Sequence, residues 1–205
     1  MAEITAQVVK QLRDRTGAGM MECKAALTEA NGDVDQAEVV LRKRGIASAG
    51  KKSTRATKQG TIGTYIHPGA QLGVMIEVNC ESDFVARTED FQELVKDLAM
   101  QIAAADPQFI RREEVTPAAI EKEKDIQRSR ALSEGKPEKV VEKIIEGRMS
   151  KFYEEICLME QPFVKEPSIK IEDLVKTKIA KLGENISVAR FVRFKVGDGA
   201  AEASE

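Results

Sequence analysis

Residues 45–51 are the first of three groups whose types and spacing could carry out chemistry. They have the spacing of a phosphate-binding loop, in which backbone N–H groups cradle phosphates. Such a loop follows a strand and ends with a Ser or Thr hydroxyl that binds magnesium. Here the segment follows a predicted helix, and Lys52 stands where the hydroxyl belongs. We therefore expect no nucleotide-binding loop.

Nucleophilic catalysis would have to use His67, which is the only histidine of the chain. Cys80 could act as its nucleophile, but no third residue is indicated that would orient the imidazole. A turn or surface histidine is the favoured interpretation. The three cysteines are scattered without C-x-x-C spacing, so we expect reduced, buried thiols at Cys23, Cys80 and Cys157.

Carboxylates are dense in the middle of the chain, where they could be mistaken for a catalytic pair. In residues 121–124 Glu alternates with Lys, which is typical of a solvated helix face. None of the three groups meets the requirements of a reaction. The sequence therefore predicts a protein that is not an enzyme and has no metal site and no cofactor.

Overall composition favours a protein partner over a nucleic acid. The 205 residues include 32 basic and 34 acidic side chains, so the net charge of −2 lacks the basic excess of a dedicated nucleic-acid binder. Residues 1–10 lack the pattern of a signal peptide, and there is no apolar run of about 18 residues. We expect a cytoplasmic protein without a membrane contact and without direct nucleic-acid binding.

Residues 1–45 predict three short helices forming a bundle of ubiquitin-associated type. Thr5 is a candidate N-cap of the first helix, Gly17 ends it, and the Asn31-Gly32 pair ends the second. The third helix is predicted to stop at Gly45. Residues 46–59 are basic and have no sustained apolar period, which predicts a flexible linker.

The rest of the chain predicts an α+β core interrupted by a helical hairpin. Residues 60–112 and 157–198 form the core, with a β-hairpin, a helix after Thr88 and a third antiparallel strand near the end. Residues 113–156 predict two antiparallel helices that project as a short coiled coil. Residues 199–205 are expected to be a disordered tail.

Two stretches differ from a generic scaffold. In residues 12–27, Met20 and Met21 lie just beyond a glycine turn, and flexible methionines there suit an adaptable protein contact, although both could instead be core residues. In residues 77–87, an acid and an aromatic follow the end of a strand, which suits an interface anchor.

With these two stretches, the chain resembles the bacterial elongation factor Ts family over nearly its whole length. The resemblance also includes residues 135–137, 146–149, 161–164 and 191–197. The family usually has Thr where this chain has Ser82, which keeps the hydroxyl. Longer members carry two copies of the α+β core and this chain has sequence for one. The resemblance is thus compatible with a homodimer and a 2:2 complex, as some short members form a dimer.

The resemblance implies a guanine-nucleotide exchange factor for elongation factor Tu that inserts Asp83 and Phe84 beside the magnesium and phosphate site of that GTPase. It further implies that parts of the bundle bind the GTPase and that the end of the strand contacts a neighbouring helix of the GTPase. The remaining partner-binding residues that it implies are Ser82, Val85, Arg13, Met20, Met21, Leu12 and His67.

Two other functions are consistent with parts of the sequence. The bundle could be a general ubiquitin-associated-type adaptor, in which case its removal would abolish every interaction. Alternatively, the chain could bind RNA through the basic linker residues, although no aromatic side chain is interleaved with them to stack on bases. Those basic residues are Lys51, Lys52, Arg55 and Lys58.

Overall fold

A computed structural model describes residues 4–198, except for the side chain of Ile46. The tail predicted over residues 199–205 lies outside the described part. The chain divides into two compact units. The first unit comprises Met1–Ile62, Glu77–Val95 and Asp173–Ala189, and the second comprises Gly63–Ile76, Lys96–Glu172 and Arg190–Glu205.

The first unit contains the predicted three-helix bundle. Its helices are α1 (Ala6–Thr16), α2 (Met20–Glu29) and α3 (Val34–Lys52). The hydroxyl of Thr5 accepts a hydrogen bond from the backbone N–H of Val8, and Gly17 ends α1 with a φ of 68°. The bundle core consists of Val9, Leu12, Cys23, Ala26, Leu27 and Ala37. The predicted caps are thus confirmed.

Helix α3 differs from the prediction at its end, because it continues past Gly45 to Lys52. A Cβ atom on Gly45 would lie 2.8 Å from the Cβ of Ala180, which belongs to the same unit. Gly45 is therefore a point where α3 closely approaches another helix. The prediction that α3 stops at Gly45 is wrong, and residues 46–52 of the predicted linker are helical.

Three strands form one antiparallel sheet in the order β1 (Gln59–Ile66), β2 (Leu72–Cys80) and β5 (Ile186–Lys195). The β1–β2 turn is closed by a 2.9 Å hydrogen bond from the His67 N–H to the Leu72 carbonyl. In β2 the side chains at Val74, Ile76, Val78 and Cys80 are buried. The predicted β-hairpin with one buried face is confirmed.

Strand β5 does not keep one apolar face throughout its length. Ile186 and Val188 are buried, then two successive residues are exposed, and from Val192 onward the even-numbered side chains are exposed. The alternating apolar side chains of β5 are thus buried only in the first part of the strand. The alternation in the sequence does not show where this burial ends.

Four α-helices, α4 to α7, follow β2 in the described part of the chain. The one-turn helix α4 (Asp83–Ala86) follows β2, and α5 (Glu89–Ala105) begins after Thr88, whose hydroxyl accepts a hydrogen bond from the Phe91 N–H. Helices α6 (Pro117–Ser133) and α7 (Glu138–Ile156) form the predicted antiparallel hairpin in the second unit. Ala131, Val141, Ile145 and Met149 form the buried core of this hairpin.

The remaining elements lie after the hairpin. The second unit has a two-stranded sheet of β3 (Pro162–Phe163) and β4 (Glu166–Lys170), which the sequence patterns did not predict. Helix α8 (Ile171–Leu182) precedes β5 in the chain. The predicted α+β class is confirmed. No helix in the described part of the chain is long and apolar enough to cross a lipid bilayer.

Candidate functional site

A single turn of helix after β2 presents the most exposed aromatic side chain among the described residues. Phe84 in α4 retains 78% of its accessible surface, whereas Ala86 at the end of the same turn is buried. The hydroxyl of Ser82 accepts a hydrogen bond from the Val85 N–H at 3.4 Å and so caps the turn. We call residues 82–87 the aromatic turn. It is a local, capped structure with its largest side chain in solvent.

Two side chains of the first unit donate hydrogen bonds to backbone carbonyls of the aromatic turn. The thiol of Cys80 donates to the Ser82 carbonyl at 3.1 Å, and the amide of Gln92 donates to the Ala86 carbonyl at 2.6 Å. Burial raises the pKa of the Cys80 thiol, and the nearby Glu184 carboxylate raises it further. Cys80 is therefore a protonated hydrogen-bond donor, and such a thiol is a poor nucleophile.

The acidic residue of the aromatic turn has an internal partner. The carboxylate of Asp83 accepts a hydrogen bond from the Arg87 guanidinium at 2.9 Å, one helical turn further along. Both side chains are largely exposed, so this ion pair contributes little to stability. Asp83 can exchange Arg87 for another cation or donor at small cost.

Glu184 also contacts the aromatic turn, although it lies about a hundred residues away in the sequence. Its carboxylate accepts hydrogen bonds from the Ser82 N–H at 2.9 Å and from the Ser82 hydroxyl at 2.6 Å. The following residue, Asn185, donates its backbone N–H to the Glu81 carboxylate at 2.7 Å. This hydrogen bond is the main reason why the pKa of Glu81 is lowered, and the positive charge of Arg55 lowers the pKa further.

Sequence reasoning did not single out Glu184 and Asn185. The signal that could have found Glu184 is its position just after the end of α8. A carboxylate there faces the negative end of the helix dipole, which is unfavourable unless another group compensates for it. Its compensation comes from donors that are remote in sequence, so only the structure identifies them.

The bundle presents a second set of the predicted residues. Met20 and Met21 begin α2 and expose 47% and 76% of their surface, and Arg13 on α1 is also exposed. Glu22 fixes the start of α2 by accepting a hydrogen bond from the Gly19 N–H at 3.2 Å. The alternative that both methionines belong to the bundle core does not agree with this exposure.

Leu12 was grouped with the partner-binding residues, but its side chain is 0% exposed and belongs to the bundle core. No part of its surface is accessible to a partner in this structure. Its contribution is to pack α1 and thereby support the exposed residues.

His67 lies in the second unit at the end of β1, where it is exposed. Its Nδ1 atom is 3.1 Å from the Tyr65 hydroxyl, and the two rings are tilted with centroids 6.1 Å apart. This small polar and aromatic surface could contact a partner. The Tyr65 hydroxyl is not a carboxylate, so this hydrogen bond does not orient the imidazole as a general base.

The segment with phosphate-loop spacing lies inside α3. In a helix the backbone N–H groups are used in helical hydrogen bonds, so they are not available to surround a phosphate. Among residues 4–198, no three His, Cys, Asp or Glu side chains cluster closely enough to hold a metal ion. The predicted burial of all three cysteines is confirmed.

By its fold, the chain is an α+β protein that combines a bundle of ubiquitin-associated type, a sheet core and a helical hairpin. Residues 4–199 match the family model described as Elongation factor TS. A relative named Elongation factor Ts from Solibacter usitatus is 79% identical over 97% of this chain and 93% of its own length.

Two further relatives of the same name agree. The protein from Koribacter versatilis is 63% identical over 95% of this chain and 89% of its own length. The one from Moorella thermoacetica is 57% identical over 98% of this chain and all of its own length. The chain therefore belongs to the elongation factor Ts family and has the role of a translation elongation factor.

Proposed function

We propose that this chain is a guanine-nucleotide exchange factor for elongation factor Tu. It binds the GDP-bound GTPase, disrupts the magnesium and phosphate site, and releases GDP so that GTP can bind. The chain performs no covalent chemistry, and its site of action is the cytoplasm, where elongation takes place. The observation that carries this proposal is the exposed Phe84 side chain on the capped aromatic turn.

An exposed aromatic on a fixed turn is suited to act as a wedge. Burial of an exposed Phe side chain in a partner contributes about 1.5 to 3 kcal/mol. That free energy can separate the elements of the GTPase that hold magnesium. Loss of the cation weakens the hold on the phosphates of GDP, because their negative charge is no longer compensated.

A single side chain is not sufficient for exchange. The factor by which the chain weakens GDP binding equals the factor by which GDP weakens binding of the chain. Changing the GTPase from mostly bound to mostly free requires about 5 kcal/mol of differential binding. We therefore assign a second contact to Arg13, Met20 and Met21 on the bundle, and a smaller one to His67.

Release of a fluorescent GDP analogue from elongation factor Tu tests the proposal. Stopped-flow traces with increasing amounts of this chain should show a release rate that rises and then saturates. EDTA supplies the control, because removal of magnesium performs the step assigned to the wedge, so the acceleration by the chain should become smaller. Unchanged release at every concentration of the chain would refute the exchange function.

We also propose that two copies of the chain associate through the second unit. On the strands of that unit and directly after β5, five large apolar side chains are 40 to 70% exposed, namely Ile66, Met75, Val192, Phe194 and Val196. Association with a second copy would cover these apolar side chains. The partner complex would then have 2:2 stoichiometry.

The mass in solution tests this association. Light scattering should give twice the chain mass for the natural sequence and the single mass for Phe194→Glu. Ile126 on the helical hairpin is also an exposed apolar residue, so Ile126→Glu is the control and should leave the dimer intact. A single mass for the natural chain at micromolar concentration would contradict the dimer.

The RNA-binding alternative has less support in the structure. Of its four cations, Arg55 is 3.4 Å from the Glu81 carboxylate, which offsets part of its charge. A protein that neutralises several phosphates would show a steep loss of affinity with salt. Titration of the chain with a short single-stranded RNA at two salt concentrations should show no such binding.

A further inference from the structure

Glu184 brings together three donors from the entrance of the aromatic turn. Its carboxylate accepts from the Glu81 N–H at 3.1 Å, the Ser82 N–H at 2.9 Å and the Ser82 hydroxyl at 2.6 Å. These groups fix two successive peptide units and the rotamer of the cap residue. The start of α4 is therefore held by an acceptor outside its own segment.

The next residue holds a different part of the same unit. The side-chain amide of Asn185 donates to the carbonyls of Ser53 at 3.3 Å and Arg55 at 2.8 Å. Ser53 directly follows α3 as its C-cap, so Asn185 holds the chain where the bundle's last helix ends. Asn185 is buried, and its amide is satisfied by these two bonds.

Two adjacent residues thus hold the aromatic turn and the segment that follows the bundle. Glu184 holds the turn that carries Phe84, and Asn185 holds the chain that leaves the bundle. The main-chain N–H of Asn185 and the guanidinium of Arg55 both bond to Glu81, which directly precedes the turn. The bonds form one connected network within the first unit.

We propose that Glu184 and Asn185 are positioning residues for nucleotide exchange, Glu184 for the aromatic turn and Asn185 for the bundle. This inference rests on the proposed exchange function. A turn that is ordered before binding loses little conformational freedom when its wedge enters the partner, so more of the binding energy is available for the reaction. Neither residue needs to touch the GTPase for this effect.

Glu184→Ala tests the first half of the proposal by removing all three acceptor bonds. The bundle of this variant still binds the GTPase, but the aromatic turn holds Phe84 in the binding conformation only part of the time. The saturating rate of GDP release should fall about tenfold, while the concentration for half-maximal release changes less than about twofold. Glu146→Ala, on the exposed face of α7, is the matched control and should equal the natural chain.

Two conservative variants separate positioning from a general effect on folding. Glu184→Gln keeps an acceptor for the backbone N–H groups and an amide beside the Ser82 hydroxyl, so the saturating rate should stay within about threefold. Glu184→Asp keeps the charge but is too short to reach all donors, and its rate should fall between Gln and Ala. Hydrogen exchange at the Val85 amide should accelerate in the same order as the rate falls.

Asn185→Ala tests the second half. Its saturating rate should be maintained, while the concentration for half-maximal release should rise about fivefold or more, because the end of α3 is released. Thermal unfolding of each variant gives the working temperature at which all are folded. A loss of stability alone would leave both kinetic constants of the folded fraction unchanged.

The outcomes distinguish this inference from the proposed function. If Glu184→Ala releases GDP as fast as the natural chain while Phe84→Ala is slow, the positioning role is wrong and the exchange function stands. The positioning role is also wrong if Glu184→Gln is as slow as Glu184→Ala. If neither the natural chain nor any variant accelerates release, the exchange function itself fails.

Discussion

Replacing Phe84 with Ala should separate binding from folding, because the ring is largely outside the protein core. Full burial of a Phe side chain contributes about 1.5 to 3 kcal/mol. With 78% of its surface exposed, Phe84 has most of this amount still available for a partner. The available part is roughly 1.2 to 2.3 kcal/mol, which corresponds to a factor of about 8 to 50 in rate or affinity.

Two measurements on Phe84→Ala check that the ring contributes to exchange and contributes little to folding. Urea unfolding should give a free energy of unfolding within about 0.5 kcal/mol of the natural chain, because little buried surface is lost. Stopped-flow release of GDP from elongation factor Tu should be slower by the factor given above. Phe84→Leu keeps much of the apolar surface, so its release rate should lie between those of Phe84→Ala and the natural chain.

Opposite effects on stability and on GDP release would contradict this role of Phe84. A large loss of stability with unchanged exchange would mean that Phe84 supports the fold and does not enter the partner. Ile126→Ala is the matched control, because it also shortens an exposed apolar side chain, on α6 of the helical hairpin. It should change neither stability nor release.

Three further predictions concern the bundle and the second unit. Met20→Ala combined with Met21→Ala should raise the concentration for half-maximal GDP release severalfold without lowering the melting temperature, since both side chains are exposed. Leu12→Ala should cost about 2 to 5 kcal/mol in urea unfolding, because it leaves a cavity in a small core. The hydrogen bonds from Arg112 lower the pKa of Glu160, so their contribution is present at neutral pH and is lost as the pH falls through that lowered pKa. Unfolding of Glu160→Gln compared with the natural chain should show a difference of about 1 kcal/mol at pH 7 that becomes smaller as the pH is lowered into the acidic range.

Local signals in the sequence were sufficient for the start and end of α1 and for the end of α2. Thr5 and Gly17 act within one turn of the residues that they cap, so their chemistry is visible in a short window. The Asn31-Gly32 pair has φ values of 51° and 88°, as a left-handed stop requires. Such features depend on neighbouring residues and not on the tertiary fold.

Features that depend on distant residues were missed. Gly45 indicates a helix end in a sequence window, but its lack of a side chain is used for the close approach to Ala180. The apolar alternation of β5 continues to Val196, but only Ile186 and Val188 are buried, so the sequence pattern does not show where burial ends. Both features depend on which other parts of the chain cover these residues.

The candidate site was predicted in part for the same reason. The aromatic turn was found because the chain resembles a known family, and the exposure of Phe84 agrees with the role that this resemblance implies. The support from Glu184 could not be predicted, because it spans 102 residues to Ser82. The burial of Leu12 also depends on packing that the sequence does not show.

The structure of the chain bound to nucleotide-free elongation factor Tu tests the central claim most directly. The account predicts that the Phe84 ring is buried in the partner beside its empty magnesium site, with the Ser82 hydroxyl still bonded to Glu184. A complex in which Phe84 remains in solvent, away from that site, would contradict the wedge mechanism.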